Sequence, residues 1–570
     1  MQRNVQISRS GAAHTPVVGT PAARCGRGPV LATLFALLAV LAILVSDAGR
    51  LRAQQPPGVR DPAAAFHASP YLELGSWEYE VLDYWIASGR INSLSPFTQP
   101  YRRMDVARAI RSLRGEHLKP FEERWLTRLE AEFRPELATL DGDHRETAYA
   151  TMRASGGAAD WTQTSRDPLR AQLHGPFARN RILERVSLGF DAQGGPVVGA
   201  LRLVRDGIYR NDAGYPNGRV TPRQDLFLLN EASLRAEDTY AELQTRYARL
   251  FVGRMYRNWG PPHTLGFLLS DYAYSWDQVG WRLGSDKFFA TGLFATFNDF
   301  PGDTARYFAV HRLEWRVSDK VMVSLSESII EGGPNASLDF RVVNPIGPWA
   351  LTTKESHKER NNVGQADVWW RPASGLVLWG SLLADNTSSL RKTDVACCQM
   401  GATVGLQLPG IARGWSLRIQ GTAMQSLLYR TNHPWEQYTV NGVGLGWDKA
   451  DLRLGTIEAS WFGVGGLVLK PRIDIQQKGT GDFHGVLRPP DQALPDYPRI
   501  IVGQAETTIR PALAGEWHRQ IGSGWTVDMN WDVGVNFIRG YQHVKGRNAT
   551  ALVGLFRVMI RTPRLLFGLN

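Results

Sequence analysis

The chain has 570 residues, with 65 Lys and Arg against 54 Asp and Glu, a formal net charge of +11 and 3 Cys. Six Arg and one Asp fall in residues 1–53, so loss of that segment would remove +5 and leave +6. A charge this mild, without a basic stripe, argues against nucleic-acid binding. The remaining excess of Lys and Arg suits a surface that faces anionic glycans or lipopolysaccharide.

Residues 1–53 are predicted to be a secretory signal peptide. Arg24 and Arg27 precede an apolar run over Val30–Val45, and the small residue Ala53 follows it. The run is shorter than the ~20 residues that a transmembrane helix needs, which favours a cleaved leader over a retained anchor. We therefore expect cleavage after Ala53 and export from the cytoplasm.

Residues 54–145 are predicted to form a small helical bundle in the periplasm. Apolar residues recur three or four positions apart in three stretches, which is the spacing of one helix face. These stretches are Leu74, Trp77, Val81, Tyr84 and Trp85, then Val106, Ala109, Ile110 and Leu113, then Trp125, Leu126, Leu129 and Phe133. Gly89 is predicted to end the first helix. The bundle carries no catalytic pattern, and we expect it to pack against the barrel or the cell wall.

Residues 146–570 are predicted to be mainly β, a transmembrane antiparallel β-barrel of about 18 strands in the bacterial outer membrane. Stretches of about ten residues alternate apolar and polar side chains, as in Arg413–Met424. A soluble propeller or sandwich would also alternate, but here short connections alternate with long ones, as they do in outer-membrane barrels. Short turns are assigned at 192, 237, 286, 317, 372, 409, 448 and 521. Long connections are assigned at 155–182, 207–224, 255–277, 298–305, 332–361, 386–398, 427–439, 478–498 and 537–548.

One segment is difficult to reconcile with a count of eighteen strands. Residues 451–477 are counted as a single strand, although GVGG from Gly463 has the composition of a turn. The chain also ends on Asn570, with Phe567 three residues earlier, whereas many such barrels end on an aromatic residue that the barrel assembly machinery recognises.

Enzymatic chemistry finds little support in the residues. No GxSxG is present and the histidines are scattered singly, so we predict no catalytic residues, no metal site and no cofactor. Cys397 and Cys398 are adjacent, a spacing that gives only a strained ring, and we interpret them as a loop pair while leaving their role open. A barrel enzyme whose site assembles from distant strands stays an alternative.

Three segments resemble the Wzi family of capsule-assembly outer-membrane proteins. The most distinctive is RLFVGRMYRNWGPPHTLGFLLSDYAYSWDQVGW, Arg249–Trp281, which contains RNWGPP and LLSDYA elements. YLELGSWEYEVLDYWIASGRINSLSPFTQPYRRMDVARAI from Tyr71 and RVVNPIGPW over Arg341–Trp349 are weaker matches. Tyr272 and Pro262 depart from residues common in the family, which puts ligand contacts at those points in doubt. The resemblance implies an eighteen-stranded barrel with a helical bundle, and a lectin-like protein that holds capsular polysaccharide or exopolysaccharide at the cell surface.

Aromatic, amide and guanidinium side chains in two long connections have the chemistry that sugar binding needs. The candidate residues, for polysaccharide binding or for plugging the lumen, are Arg254, Arg257, Asn258, Trp259, Trp276, Asp277, Arg341, Asn344 and Trp349. The alternative interpretation is an interfacial aromatic girdle and a plug loop. The alternative function is a porin-like channel for small polar solutes or sugars, because eighteen strands can enclose an aqueous pore. Loops 255–277 and 332–361 decide between these functions if they fill the lumen.

Overall fold

A computed structural model describes residues 66–142, 148–162, 181–206, 225–226, 229–230, 234–300, 303–344, 349, 360–385, 399–485, 500–522 and 524–568. The predicted signal peptide, Cys397 and Cys398 lie outside these residues. None of the described helices is long and apolar enough to cross a membrane. Within the same residues, no group of three or more His, Cys, Asp or Glu side chains could hold a metal ion.

The described strands close into one antiparallel barrel of eighteen strands, as the sequence predicts. They are β1 Ala148–Thr162, β2 Arg181–Gly194, β3 Val197–Asp206, β4 Leu234–Gln244, β5 Ala248–Arg254, β6 Asp277–Gly284, β7 Phe288–Phe297, β8 Thr304–Ser318, β9 Val321–Pro334, β10 Arg360–Ala373, β11 Leu376–Asp385, β12 Gln399–Ala412, β13 Trp415–Met424, β14 Leu452–Phe462, β15 Leu467–Lys478, β16 Glu506–Ile521, β17 Trp525–Arg539 and β18 Asn548–Arg561 with its continuation Leu565–Gly568. Both parts of β18 pair with β1, and this pairing closes the ring.

Side-chain alternation divides each strand between the lumen and the outer surface. In β8, Leu313 and Trp315 point outward and are exposed, whereas Arg312 and Glu314 point inward and are buried. Exposed aromatic residues on the outer face cluster beside the short turns, among them Phe288, Trp315, Trp370 and Trp525. A band of this kind is typical of the interfacial girdle of an outer-membrane barrel.

The short turns lie at one end of the barrel, called here the short-turn end, and the long connections at the other, the long-loop end. Three predicted connections were wrong in position. GVGG is a turn, with Gly465 and Gly466 at φ of 69° and 86°, so 451–477 is two strands. Residues 425–451 form one long connection, so the predicted strand before the turn at 448 is absent from the wall. Because one error omits a strand and the other adds one, the predicted total of eighteen strands is still correct.

The third error concerns the acidic pair at 237, which the sequence predicts to be a turn. Glu237 lies inside β4, is buried and forms an ion pair of 3.0 Å with Arg185. The turn lies at 245–247 instead. Acidic side chains inside a strand are stable here because the lumen supplies arginine partners.

Within residues 66–142, four helices precede the barrel: α1 Glu78–Ser88, α2 Arg103–Ser112, α3 Pro120–Glu132 and α4 Arg134–Leu140. Gly89 ends α1 in the left-handed conformation at φ of 82°, as its type predicts. Apart from Leu74 and the partly buried Leu126, the residues of the predicted apolar stripes form one buried cluster, which also contains inward-facing barrel residues. These are Met322, Trp369, Val377, Trp379, Phe462 and Val468.

The segment 66–142, called here the helical plug, is held against the inner wall by buried polar contacts. Lys470 on β15 donates to Glu80 at 2.7 Å, and Arg371 on β10 donates to the Ile86 carbonyl oxygen at 3.1 Å. Burial alone would raise the pKa of Glu80, but the Lys470 ammonium holds it at about 2. The plug therefore belongs to the polar as well as the apolar lining of the lumen.

The plug also bridges the seam where the two ends of the barrel sequence meet. Glu132 at the end of α3 accepts from Arg153 on β1 at 3.1 Å. Glu136 on α4 accepts from Arg564, between the two parts of β18, at 3.2 Å. Nearby arginines hold the pKa of both carboxyls below the usual range despite burial.

Candidate functional site

The connection 255–276 begins at the long-loop end and turns into the lumen. Its residues Asn258–Trp259 pair antiparallel with Thr98–Gln99 of the helical plug, and the Gly260 N–H donates to the Phe97 carbonyl oxygen at 3.0 Å. The Asn258 side chain donates to the Thr264 carbonyl oxygen and accepts from Gly266 N–H, at 3.0 and 2.8 Å. The connection is therefore a closed loop joined to the plug.

A second connection, 425–451, contacts this loop from the long-loop end. The Ser270 N–H donates to the Leu445 carbonyl oxygen at 2.9 Å. The hydroxyls of Tyr429 and Tyr438 donate to the carbonyl oxygens of Phe267 and Leu268, at 2.8 and 2.9 Å. These residues share a buried apolar cluster with Trp259, which is 1% exposed. Two inward connections and the helical plug thus occupy the lumen.

The nine predicted site residues lie in three different places. Arg257, Asn258 and Trp259 are inside the lumen, and Trp276 packs edge-on against Phe308 of the inner wall, with ring centroids 5.5 Å apart. Both roles considered for these residues, polysaccharide binding and plugging of the lumen, stay predictions.

Arg254 and Asp277 form an ion pair across β5 and β6, with contacts of 2.8 and 2.6 Å. Both side chains share the outward side of their strands with the exposed Leu250 and Val279. The pair therefore lies on the outer rim, apart from Arg257.

Arg341, Asn344 and Trp349, the candidate residues of the connection after β9, lie outside the lumen. The Trp349 ring stacks on His311 with centroids 4.0 Å apart, and the Trp349 backbone N–H donates to the Glu327 carboxylate at 2.9 Å. His311 and Glu327 both point outward from their strands, so the described part of this connection lies against the outer wall. Arg341 and Asn344 are exposed there.

The long-loop end presents a polar and aromatic surface that the sequence analysis did not single out. This surface, called here the cap surface, consists of residues 432–437, 441–442, 482 and 484. His433 and Trp435 stack with ring centroids 4.7 Å apart and planes within 12°. Asn432 and Asp482 are also exposed on the cap surface. A flat ring with neighbouring amide and carboxylate groups is the chemistry of a sugar contact.

A buried guanidinium fixes the backbone under the cap surface. Arg306 is 0% exposed, pairs with Asp299 at 2.8 and 2.6 Å, and donates to the carbonyl oxygens of Trp435, Gln437 and Thr439 at 2.6 to 2.9 Å. Five charge-assisted hydrogen bonds leave this segment little freedom. Its exposed side chains are therefore held in place before any ligand arrives.

His484 lies in the connection that follows β15 and links it to connection 425–451. Its Nε2 lies 2.9 Å from the Gly442 carbonyl oxygen and 3.5 Å from Asp448. The hydrogen bond to Asp448 raises the pKa of His484 above its usual value despite partial burial. Protonated His484 therefore strengthens the contact between the two connections.

Comparison with solved structures bears on the fold. Wzi of Escherichia coli, described as an outer-membrane protein involved in group 1 capsule assembly and as a carbohydrate-binding β-barrel, superimposes with a TM-score of 0.59. The match covers 88% of this chain and 100% of that one at 13% identity. The barrel has a Wzi-like fold.

Two porins superimpose on the Wzi-like barrel less well. A BenF-like porin of Pseudomonas fluorescens has a TM-score of 0.40 at 10% identity, covering 74% of this chain and 99% of its own. OccK5 of Pseudomonas aeruginosa has a TM-score of 0.38 at 9% identity, covering 74% and 98%. No protein-family model and no curated protein sequence matches the chain.

Proposed function

We propose that this outer-membrane barrel attaches or organises capsular polysaccharide or exopolysaccharide at the cell surface, and that the cap surface is where the glycan binds. The observation that carries this is the half-buried His433–Trp435 stack at the long-loop end, whose backbone is held by Arg306 above an occupied lumen. An aromatic face fixed in this way can cover a pyranose ring at little cost in side-chain entropy. The carbohydrate binding named for the Wzi neighbour supports the same class of ligand.

The occupied lumen disfavours the porin-like alternative. A diffusion channel needs a continuous aqueous path, whereas the described plug, loop 255–276 and connection 425–451 are joined by backbone hydrogen bonds across the lumen. Negligible conductance of the full chain in planar bilayers is the expected result. Steady passage of ions or sugars would contradict attachment as the main function.

The location follows from the same proposal. The signal peptide over residues 1–53 would be removed, the short-turn end with the helical domain of residues 54–145 would face the periplasm, and residues 146–570 would span the membrane. The outward apolar side chains would contact outer-membrane lipids and lipopolysaccharide, and insertion would use the barrel assembly machinery. We propose no catalytic step.

Binding of the detergent-purified chain to polysaccharide from its own host, compared with an unrelated polymer, tests the proposal. Trp435→Ala removes one ring face, and losing about 50 Å² of apolar contact weakens binding roughly tenfold. Trp525→Ala is the matched control, since that side chain is 46% exposed on the outer face beside a short turn. Equal binding by Trp435→Ala and the unchanged chain would remove the cap surface from consideration.

In the host, a deletion strain should shed its capsule into the medium, and complementation with Trp435→Ala should restore retention only in part. Unchanged capsule retention in the deletion strain would contradict attachment altogether.

A further inference from the structure

An arginine-rich cavity lies between the helical plug and strands β4 to β8, near the short-turn end and away from the cap surface. Its volume is about 140 Å³, several times the ~30 Å³ share of one water molecule. Its lining includes six arginines: Arg102, Arg108, Arg249, Arg257, Arg282 and Arg316. Only three acidic side chains line it: Asp105, Glu242 and Asp286.

The charges inside the cavity are not balanced. Asp105 is shared by three arginines, with Arg102 at 2.8 Å, Arg108 at 3.4 Å and Arg249 at 3.9 Å. Burial raises the pKa of Asp105, but these guanidinium groups hold it at about 2, so it stays ionised. Glu242 also attracts Arg249 and accepts from Tyr71 and Gln244, but two carboxylates do not neutralise three guanidinium groups.

Two of the arginines face each other directly. Arg249 on β5 and Arg282 on β6 are Cα partners in the strand pairing, and both point into the lumen. Like charges at opposed positions of a strand pair are destabilising. The partner of Arg282, Asp286, lies 3.5 Å away on the turn and is 78% exposed, so water screens it. The Nε of Arg249 is buried and has no hydrogen-bond partner among the described residues.

The aromatic walls hold two guanidinium groups by their faces. Arg257 lies over Phe251 at 4.7 Å, and Arg282 lies over Phe289 at 4.0 Å. A guanidinium stacked by its face keeps its N–H edges free to donate to a second group. Arg257 donates one hydrogen bond to Gln278, at 2.8 Å, and no described carboxylate lies within 4.0 Å of Arg257. The remaining N–H groups of these guanidinium groups form a preorganised set of donors.

We propose that this cavity binds the oxyanion of an acidic sugar unit, a carboxylate or phosphate carried on a sugar ring, entering from the short-turn end. The oxyanion would complete the hydrogen bonding of Arg249, Arg257 and Arg282. The ring of Tyr71, which is partly buried in the cavity lining, would contact the ring carbons. The site is separate from the cap surface, so this inference goes beyond attachment at the cell surface.

Isothermal titration calorimetry of the detergent-purified full chain tests the inference with glucuronate, glucose and inorganic phosphate as separate ligands. Glucuronate should bind saturably and lose affinity as salt is raised, while glucose gives no heat of binding. Weaker binding of phosphate supports a contribution from the ring. Phosphate binding as strong as that of glucuronate would overturn the assignment to an acidic sugar.

Arg282→Gln should weaken glucuronate binding roughly 10- to 100-fold, the effect of losing one charged hydrogen-bond donor. Arg111→Gln is the control, since it removes the same charge from the helical plug outside the cavity, where Arg111 pairs with Asp141 at 2.8 Å. Heat-modifiable migration on gels verifies that each variant keeps its barrel. A folded Arg282→Gln chain that binds glucuronate as tightly as the unchanged chain would overturn the proposal, and so would no glucuronate binding by the unchanged chain.

Trp435→Ala separates this inference from the proposed function. That substitution should leave the glucuronate affinity unchanged, because Trp435 is outside the cavity lining. A loss of glucuronate binding in Trp435→Ala would show that the ligand binds at the cap surface and would overturn the cavity site. Failure of polysaccharide attachment alone would leave the cavity result standing.

Discussion

Replacement of Phe462 by Ala should release the helical plug from the wall while the barrel stays closed. Phe462 is 3% exposed at the end of β14, where its ring contacts those of Tyr84, Phe121 and Trp125, with centroids 5.0, 6.2 and 6.2 Å away. Its backbone N–H donates to the Gly414 carbonyl oxygen at 2.7 Å, and this bond does not depend on the side chain. The substitution therefore removes a packing contact and keeps the strand pairing.

Truncation of a buried phenylalanine to alanine costs about 3–5 kcal/mol. If the loss falls on docking of the plug, the population of the undocked state rises roughly 100- to 5,000-fold. Hydrogen exchange followed by mass spectrometry reports that opening in the backbone amides of α1 and α3. Heat-modifiable migration on gels reports the barrel separately.

Phe556→Ala provides the comparison, because that side chain is 42% exposed on the outer face of β18. Exchange in α1 and α3 should match the unchanged chain in this control. If Phe462→Ala also leaves helix exchange unchanged, the aromatic contact does not hold the plug, and our account of its docking is wrong. Simultaneous loss of barrel migration would equally show that plug and wall do not separate.

Three further outcomes are expected. A Cβ on Gly446 would overlap the Phe267 carbonyl oxygen, so Gly446→Ala should displace the inward connections and raise bilayer conductance, whereas Gly455→Ala, which has open space, should not. The pKa of Glu80 is depressed to about 2, so its contribution to stability is present above pH 4.5 and is lost as the pH falls toward 2. A midpoint of helix unfolding that stays constant over this pH range, or that is the same in Glu80→Gln, would contradict this. The pKa of His484 is raised, so its contribution is full below 6.5 and lost as pH rises through the raised value, and an NMR titration should show a lower pKa in Asp448→Asn.

The periodicity of the sequence predicted the barrel and its strand count because membrane strands must alternate between lipid and lumen. The same rule could not assign 425–451, since the apolar residues of this connection are buried in the lumen without joining the wall. The glycines at 465 and 466 were a better guide to the turn than the strand count was. When glycines that indicate a turn disagree with the requirement for an even number of strands, the glycines are therefore the better guide to the position of the turn.

The positions of the candidate residues in the fold were harder to predict from the sequence. Arg257 and Trp259 occur in a distinctive motif, but only the pairing of 258–259 with 98–99 shows that they belong to the interior. Nothing in the composition of the Arg341–Trp349 segment distinguishes the outer wall from the lumen. The cap surface was missed because His433 and His484 stand far apart in the chain, although His433-Pro-Trp435 already combined two rings in a predicted loop.

The ion pairs of Glu132 with Arg153 and of Glu136 with Arg564 join residues from opposite ends of the barrel sequence through one helical segment. Closing a ring between strands about 400 residues apart carries a large loss of chain entropy. The helical plug contacts both closing strands, so the seam is held by side-chain ion pairs from inside as well as by the backbone hydrogen bonds of the strands themselves. A change in the plug at Glu132 or Glu136 therefore acts on the one place where the wall joins its first strand to its last.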